Sequence, residues 1–440
     1  MGARRLKHPE SVNAREFAVR ALVRVEGGAF SNIVVPATLR TSGMSARDRA
    51  FATDLVYGTL REQRRLDALL ATAADRPVID LDPPVRSALR VGAYQLLHGS
   101  PPHAAVGETV AATPRRARGY VNAVLRRLAR TGPPWPEPED LATRWSYPDW
   151  IVAELRDLVG DDAGLEAVLA AGNRPGALTL RPNRRSVDGD ALLAEVAAPG
   201  VTVEPGRLVA DAVVVRGAGD PAALPAVAEG RATPQDQSSQ AVATLVAAGP
   251  GSRVLDVAAA PGGKATALAE DVGDRGLVVA ADVDAGRLRL VGAAGARLGL
   301  GNLAVVRADG RRLPTVPASF DAVLVDAPCS GLGVLRRRPE ARWRTRAESV
   351  AGLAALQREL LQEAAGAVRP GGRLVYSVCT LTNAETTGVA EWAVGALDAF
   401  TPAALPGPPW RPHGPGALLL PDALDTDGMF VLILERRRVG

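Results

Sequence analysis

Apolar residues in the first third of the chain recur at helical spacing. They repeat every three or four residues between residues 14 and 25, and again between residues 121 and 128. Proline pairs at 83–84 and 101–102 divide the sequence between these stripes. We therefore predict an all-α domain over residues 1–132, followed by a proline-rich, semi-rigid linker that extends to residue 140. The two stripes consist of Ala14, Phe17, Ala18, Ala21, Leu22 and Val25, and of Val121, Val124, Leu125 and Leu128.

A different pattern, in which short apolar runs alternate with helical stretches, occupies residues 236–440. This alternation predicts an α/β domain built on a doubly wound parallel sheet. Between the two domains, residues 141–235 mix both patterns and predict a small α+β segment. Its expected strands are Ala177–Leu180 and Ala212–Arg216, with a helix over Asp188–Ala197. In the α/β domain we expect strands at Arg253–Val257, Leu277–Ala281, Leu303–Val306, Ala322–Val325, Arg373–Ser377 and Met429–Leu434, and helices over Val350–Val368 and Ala384–Leu397.

Charge divides the chain unevenly. The net charge is +4, but residues 1–132 carry 21 basic and 11 acidic side chains, a net of +10, which leaves −6 for the remainder. Six arginines surround the second apolar stripe, so that helix can bury one face and offer the other to phosphates. A basic surface without a partner remains the alternative. The six are Arg115, Arg116, Arg118, Arg126, Arg127 and Arg130.

Composition narrows the class of protein. The chain has 440 residues, 47% of them hydrophobic, which is enough for two or three domains with substantial cores. Two cysteines provide no disulfide framework, as is usual in a reducing cytosol. We find no signal-peptide core and no apolar run of about 20 residues that could span a membrane. We therefore expect a soluble cytoplasmic protein without a membrane partner or a bound metal.

Residues suited to a nucleoside ligand follow the first two predicted strands of the α/β domain. Gly262 and Gly263 permit a tight turn and a close approach to a ligand at the start of a helix. Asp282 follows the second strand, where a carboxylate can accept ribose hydroxyls. The G-x-G-x-x-G pattern of nicotinamide-binding domains is absent. The loop therefore favours a nucleoside without a pyrophosphate, such as S-adenosylmethionine.

Acids or thiols follow the other three predicted strands. Asp309 follows the third strand, Asp326 and Cys329 the fourth, and Cys379 the fifth. Because ligands bind at the carboxyl ends of strands in open α/β sheets, these residues are candidates for one active site. Taken singly, each acid could be a helix cap or turn residue, and each cysteine a small buried hydrophobe. Lys264 is one of only two lysines among 52 basic residues, which indicates that a compact ammonium is needed there.

Three motifs resemble the RNA 5-methylcytosine methyltransferase family of the Sun/RsmB type. They are the loop from Asp256 to Lys264, the sequence Asp326-Ala-Pro-Cys329-Ser-Gly and the sequence Tyr376-Ser-Val-Cys379-Thr. The helical front domain, with Arg118-Gly-Tyr-Val-Asn-Ala-Val-Leu-Arg126, resembles the NusB-like domain of that family's ribosomal members. The resemblance implies an all-α NusB-like N-terminal domain and an α/β Rossmann-like methyltransferase domain, with the α+β segment between them binding RNA.

The resemblance also implies roles for individual residues. The cofactor S-adenosylmethionine would be held at its methionine end by Ala258, Ala259, Ala260, Pro261, Gly262, Gly263 and Lys264. Its ribose would bind Asp282 and its adenine would lie beside Asp309. Asp326 would lie between the cofactor and the target cytosine, Cys379 would be the nucleophile, and Cys329 would assist product release. This chain departs from the family pattern at Ala258, Leu332 and Thr386, which concern the positioning of the substrate and not the reacting groups.

The expected activity is methylation of carbon 5 of a cytosine in RNA, with ribosomal RNA as the favoured partner. A basic loop at residues 335–346, with six arginines and Trp343, would supply phosphate contacts and base stacking. A transfer-RNA cytosine-5 methyltransferase is an alternative in the same class. A non-catalytic RNA-binding or antitermination-like factor, and a DNA cytosine methyltransferase, also remain open. The sequence does not indicate the oligomeric state.

Overall fold

The structure is a computed structural model that describes residues 13–438. The described chain divides into two compact units. The first extends to Val152 and also contains Arg337–Trp343, and the second comprises Ala153–Arg336 and the chain from Arg344 onward. Within the described range, no helix is both long and apolar enough to cross a membrane.

The first unit is entirely helical, as predicted. Helix α1 packs its apolar stripe against α3 and α5. The predicted stripe of α7 is buried as well, so both sequence patterns define faces of the same core. Gly58 permits the close approach of the Tyr94 ring, which a β-carbon at that position would meet at 2.2 Å. The helices are α1 (Ala14–Glu26), α2 (Ser31–Arg40), α3 (Ala46–Arg61), α4 (Gln63–Ala71), α5 (Pro83–Leu97), α6 (Pro102–Ala111), α7 (Arg118–Thr131) and α8 (Leu141–Arg144).

The first unit continues beyond residue 132, because the segment after the prolines packs on α4. Arg64 at the start of α4 donates hydrogen bonds to Thr143 and to the carbonyl of Tyr147. Its backbone N–H donates to Ser146. These contacts make the segment up to Val152 part of the helical unit.

The second unit begins with a small α+β part. A four-stranded antiparallel sheet in the order β2-β3-β1-β4 packs one face on α11 and α12 around a small apolar core. The predicted strands and helix of this segment are confirmed, while β2 and β4 were not predicted. Its elements are α9 (Asp149–Val159), which begins in the first unit, α10 (Asp162–Asn173), β1 (Leu178–Pro182), α11 (Gly189–Val196), β2 (Thr202–Pro205), β3 (Val213–Arg216), α12 (Pro225–Ala228) and β4 (Ala232–Pro234).

The rest of the second unit is a mixed sheet flanked by helices. Strands β9, β8, β5, β6 and β7 are parallel in that order, and β13, β12 and β11 continue the sheet antiparallel from β9. The elements are α13 (Gln237–Leu245), β5 (Arg253–Asp256), α14 (Gly263–Val272), β6 (Leu277–Asp282), α15 (Ala285–Arg297), β7 (Leu303–Arg307), β8 (Phe320–Asp326), α16 (Ala341–Arg344), α17 (Ala347–Ala367), β9 (Val368–Val378), α18 (Thr387–Ala396), β10 (Phe400–Pro402), β11 (Arg411–His413), β12 (Gly416–Leu419) and β13 (Met429–Arg436).

The five predicted parallel strands are confirmed, and the antiparallel edge is an addition. Strand order reverses between β5 and β8, which are neighbours although β6 and β7 lie between them in sequence. Such a switch point opens a crevice at the carboxyl ends of the strands. The side chains that follow β5 and β8 are therefore placed at this crevice.

Candidate active site

Asp256 and Asp326 end the two strands that flank the switch point. Asp256 is 1% exposed, and neither of its carboxyl oxygens has a hydrogen-bond partner among the described residues. Burial, followed by the negative charge of Asp326, raises the pKa of Asp256 to about 8, with Lys264 acting in the opposite direction. Asp256 is therefore a neutral acid at pH 7, directly beneath the crevice.

A glycine turn connects β5 to α14. Gly262 has φ +106, and a β-carbon there would lie 3.1 Å from the backbone of Val291. This conformation starts α14 at Gly263, so the first N–H groups of the helix, which have no partner within the helix, lie just beyond the carboxyl end of β5. The carbonyl of Gly263 accepts a hydrogen bond of 2.7 Å from Arg181, which anchors the start of the helix to β1. Residues 258–264 thus form a preorganised loop.

Asp282 ends β6 beside this loop and is 3% exposed. Its carboxylate accepts the backbone N–H of Ala260 at 3.2 Å and that of Asp284 at 2.9 Å. These bonds fix the acid against the glycine turn. Asp309 lies two residues after β7, and there the side-chain hydrogen bonds of Arg311 lower the pKa of Asp309 to about 2. Asp309 is therefore ionised, and its carboxylate is hydrogen-bonded to Arg311 in the same loop.

Lys264 joins the glycine turn to the end of β8. Its ammonium donates to Asp326 Oδ2 at 2.7 Å and to Ser239 at 3.4 Å. Burial lowers the pKa of Lys264, but the Asp326 carboxylate and the charge of Cys379 outweigh burial, so the pKa is raised overall. The other oxygen of Asp326 accepts the hydroxyl of Ser377 at 2.7 Å. Lys264 thus remains a fixed positive charge beside two candidate catalytic groups.

The two cysteines meet at the ends of β8 and β9. Their Sγ atoms are 3.3 Å apart, and both residues are half-buried. The hydrogen bond with Cys379, burial, and the charges of Cys379 and Glu385 raise the pKa of Cys329 well above its ordinary value. Two sulfurs this close do not both ionise readily, so one carries a proton when the other is a thiolate.

The basic loop expected to contact RNA has a different role at three positions. Arg336 is 1% exposed and forms an ion pair with Asp425. Arg342 is fully buried, lies 3.9 Å from the centre of the Tyr147 ring and donates to the carbonyl of Ser146. Trp343 donates its indole N–H to the carbonyl of Leu60. For these residues the prediction of phosphate and base contacts is wrong.

The six arginines around α7 are all exposed, as the predicted amphipathic helix requires. Arg116 pairs with Asp82, while Arg118 and Arg127 donate to nearby carbonyl groups. For the other three, Arg115, Arg126 and Arg130, the described part of the chain contains no hydrogen-bond or ion-pair partner. These three guanidinium groups are free to contact an anionic ligand.

Ser239, Ser377 and Glu385 were not predicted as site residues from the sequence. The two serines hold Lys264 and Asp326, and Glu385 contacts the Cys329 loop. Ser377 directly follows Tyr376 in the motif around Cys379, so its alternation along β9 could have indicated that it faces Asp326. No local pattern identifies the contact of Ser239 with Lys264 or those of Glu385 with Ser330 and Gln357, because these partners are distant in sequence.

Comparison with known proteins identifies relatives along the whole chain. Residues 243–435 match the family described as 16S rRNA methyltransferase RsmB/F. Residues 12–130 match the NusB family, and residues 147–221 match the ferredoxin-like domain of RsmF/B-like methyltransferases. The expected NusB-like and Rossmann-like domains are therefore confirmed.

Several curated relatives carry the name ribosomal RNA small subunit methyltransferase B, and two of them illustrate the match. The one from Thermus thermophilus is 37% identical over 426 residues, covering 96% of this chain and 97% of the relative. The one from Pseudomonas putida is 36% identical over 390 residues, covering 86% and 88%.

Solved structures extend the likeness to the fold. The crystal structure of PH0851 superposes with a TM-score of 0.84 at 25% identity, covering 98% of this chain and all of that one. The structure of NSun6 from Pyrococcus horikoshii with SFG has a TM-score of 0.59 at 19% identity, covering 66% and 99%, and shares the fold.

Proposed function

Since the chain belongs to the 16S rRNA methyltransferase RsmB/F family and is an S-adenosylmethionine-dependent RNA methyltransferase, we propose that it methylates carbon 5 of a cytosine in 16S ribosomal RNA. The observation that carries this proposal is the 3.3 Å approach of Cys329 and Cys379 beside the Lys264–Asp326 ion pair. A paired-thiol site suits a reaction in which a covalent adduct to the base must both form and break.

The residues at the strand ends fit the cofactor. The carboxyl groups of Asp326 and Asp256 lie near the Lys264 ammonium, and that of Asp282 lies 3.6 Å from Arg287, so acidic groups gather at the strand ends where a cationic ligand would bind. The unpartnered oxygens of Asp256 and the free N–H groups of α14 are hydrogen-bonding sites at the same edge. We assign residues 258–264 to the methionine end, Asp282 to the ribose and Asp309 to the neighbourhood of the adenine. When bound, S-adenosylmethionine supplies an electrophilic methyl group.

Cys379 is the proposed nucleophile. Carbon 5 of cytosine is a weak nucleophile, and addition of a thiolate to carbon 6 converts the ring to an enamine that reacts at carbon 5. The thiolate is the reactive form of a cysteine, and a nearby cation favours it. The Lys264 ammonium, which interacts electrostatically with Cys379, supplies that positive charge.

Asp326 and Cys329 complete the proposed mechanism. Asp326, held by Lys264 and Ser377, would face ring nitrogen 3 and pass to it a proton drawn from the Lys264 ammonium, which neutralises the negative charge that thiolate addition places on the ring. After methylation the proton on carbon 5 must pass to water, and the bond between Cys379 and carbon 6 must break with its electron pair returning to the Cys379 sulfur. Cys329, in contact with the Cys379 sulfur, is placed to assist that release.

The target base must be unstacked before a thiol can reach carbon 6, so a loop or splayed segment of RNA is the natural substrate. The exposed arginines of α7 suit contacts with the phosphates of such an RNA. We accordingly assign RNA binding to the helical unit and catalysis to the second unit.

Methyl transfer to isolated small-subunit RNA tests this function, with bisulfite mapping to locate the product and Cys379→Ala as the control. We expect one protected cytosine in ribosomal RNA treated with the native protein, and none with the variant. Methylation of transfer RNA alone would reassign the substrate, and methyl transfer to a nitrogen or to another carbon would contradict the proposed chemistry.

A further inference from the structure

Glu385 is a fully buried carboxylate in the turn between β9 and α18. It follows Cys379 by six residues, and its exposed fraction is 0%. Burying a carboxylate is unfavourable unless hydrogen bonds replace its hydration. The identity of its donors therefore shows which parts of the molecule depend on this side chain.

Among the described residues, three of the four hydrogen bonds to the Glu385 side chain come from the segments that follow the two cysteines, and the fourth comes from Gln357 on α17. Oε1 accepts the backbone N–H of Ser330 at 2.9 Å and the amide of Gln357 at 3.0 Å. Oε2 accepts the hydroxyl of Thr382 at 2.9 Å and the hydroxyl of Ser330. Ser330 directly follows Cys329, whereas Thr382 and Glu385 follow Cys379, so one carboxylate links both loops.

The residues on both sides of Cys329 are held by this cluster. Gln357, on α17, also donates to the carbonyl of Pro328 at 2.9 Å. Tyr376 on β9 donates to the Glu385 carbonyl at 2.6 Å and contacts Gln357. The backbone is therefore held on both sides of Cys329, at the carbonyl of Pro328 by Gln357 and at the N–H of Ser330 by Glu385. Glu385 also accepts a hydrogen bond from Gln357, so it connects the two sides.

We propose that Glu385 is a positioning residue that sets the contact between Cys329 and Cys379 and makes Cys329 the proton-carrying member of the pair. The inference deepens the proposed function, on which it rests. Before attack, the Cys379 sulfur carries the negative charge and later forms the bond to carbon 6. Cys329 keeps its proton and donates it in the hydrogen bond to Cys379.

Charges around the pair support this division. Glu385 is among the groups that raise the pKa of Cys329, after the contact with Cys379 and burial. Tyr376 interacts with Cys329 and with Arg358. Burial is the largest of the causes that raise the pKa of Tyr376, so its hydroxyl carries no charge at neutral pH. On the other side, Lys264 interacts with Cys379. A negative group near Cys329 raises the pKa of that thiol, and a positive group near Cys379 favours its thiolate, so the two thiols differ in acidity.

Site-resolved alkylation tests the charge effect directly, because these are the chain's only two cysteines. The full-length protein is treated with iodoacetamide at neutral pH, and modification of each cysteine is followed by mass spectrometry. Glu385→Gln keeps the side-chain size and removes the charge, and the exposed Glu391→Gln on α18 is the matched control. We expect the preference for Cys379 over Cys329 to fall about tenfold in Glu385→Gln only, because loss of the negative charge makes Cys329 more acidic.

A second variant separates position from charge. Glu385→Asp retains the charge but withdraws the carboxylate from Ser330, so it should keep the alkylation preference and lower kcat at least about tenfold with KM unchanged. An unchanged alkylation ratio in Glu385→Gln, or an equal change in Glu391→Gln, would overturn the charge effect. A native kcat in Glu385→Asp would overturn the positioning role. This variant can be measured even if Glu385→Gln does not fold. Alkylation needs neither RNA nor cofactor, so its result is independent of the proposed methylation.

Discussion

The neutral acid at the end of β5 gives the second unit a characteristic pH dependence. Asp256 is buried without a hydrogen-bond partner among the described residues, and its pKa is raised from an ordinary 3.8 to about 8. The substitution Asp256→Asn replaces a protonated acid by a neutral amide of the same size. It therefore removes the titration while leaving the local packing nearly unchanged.

The sign and the size follow from proton linkage. Between about pH 4 and about pH 8 the folded protein holds a proton on Asp256 that the unfolded chain has released. The stabilisation is fully present below about pH 4 and is lost as pH rises through about 8, with a slope of about 1.4 kcal/mol per pH unit. From about pH 5 to about pH 8 this loss amounts to roughly 3–4 kcal/mol.

Urea unfolding of the full-length chain at a series of pH values measures this effect. Hydrogen exchange in peptides from β5 and β8 reports the unfolding of the second unit separately from the helical one. The native protein should lose stability relative to Asp256→Asn as pH rises from about 5 to about 8. Parallel pH profiles for the two proteins would refute the reasoning, as would a difference of opposite sign.

Two further predictions concern ligands. Asp282→Ala should weaken S-adenosylmethionine binding by about ten- to a hundredfold, because a charge-assisted hydrogen bond contributes roughly 1.5–3 kcal/mol. Calorimetry measures this affinity, with the surface variant Asp274→Ala as the control. A native affinity in Asp282→Ala would place the ribose elsewhere. Replacing Arg115, Arg126 and Arg130 together by alanine should weaken RNA binding and lower the slope of log K against log salt by about two to three. Filter binding at several salt concentrations measures that slope, and a native value would exclude α7 from the RNA contact.

Elements set by local periodicity were predictable from the sequence. The stripes of α1 and α7 are buried as their spacing indicates, and the five parallel strands lie where the apolar runs placed them. The antiparallel edge was not predictable beyond β13, because β11 and β12 have three and four residues and are defined by their pairing partners.

Residues at strand ends could be grouped into one site because the carboxyl ends of parallel strands meet at one edge. Buried polar residues could not be assigned, because their partners are remote in sequence. Arg342 resembles a surface arginine in its basic local sequence, yet it is buried against Tyr147, and Arg336 is paired with Asp425. Glu385 was missed for the same reason, since Ser330 and Gln357 precede it by 55 and 28 residues.

The most direct test of the mechanism compares the two thiols. Loss of Cys379 should prevent formation of the covalent adduct, whereas loss of Cys329 should prevent its release. Cys379→Ala and Cys329→Ala are incubated with substrate RNA and S-adenosylmethionine, and denaturing gels are examined for protein shifted by covalent RNA, beside a methyl-transfer assay. Both variants should fold, because replacing a thiol by a methyl group changes little volume. We expect an accumulated adduct with Cys329→Ala, and neither adduct nor methylation with Cys379→Ala. An adduct with Cys379→Ala and none with Cys329→Ala would reverse the assignment, and full activity in both would contradict covalent catalysis.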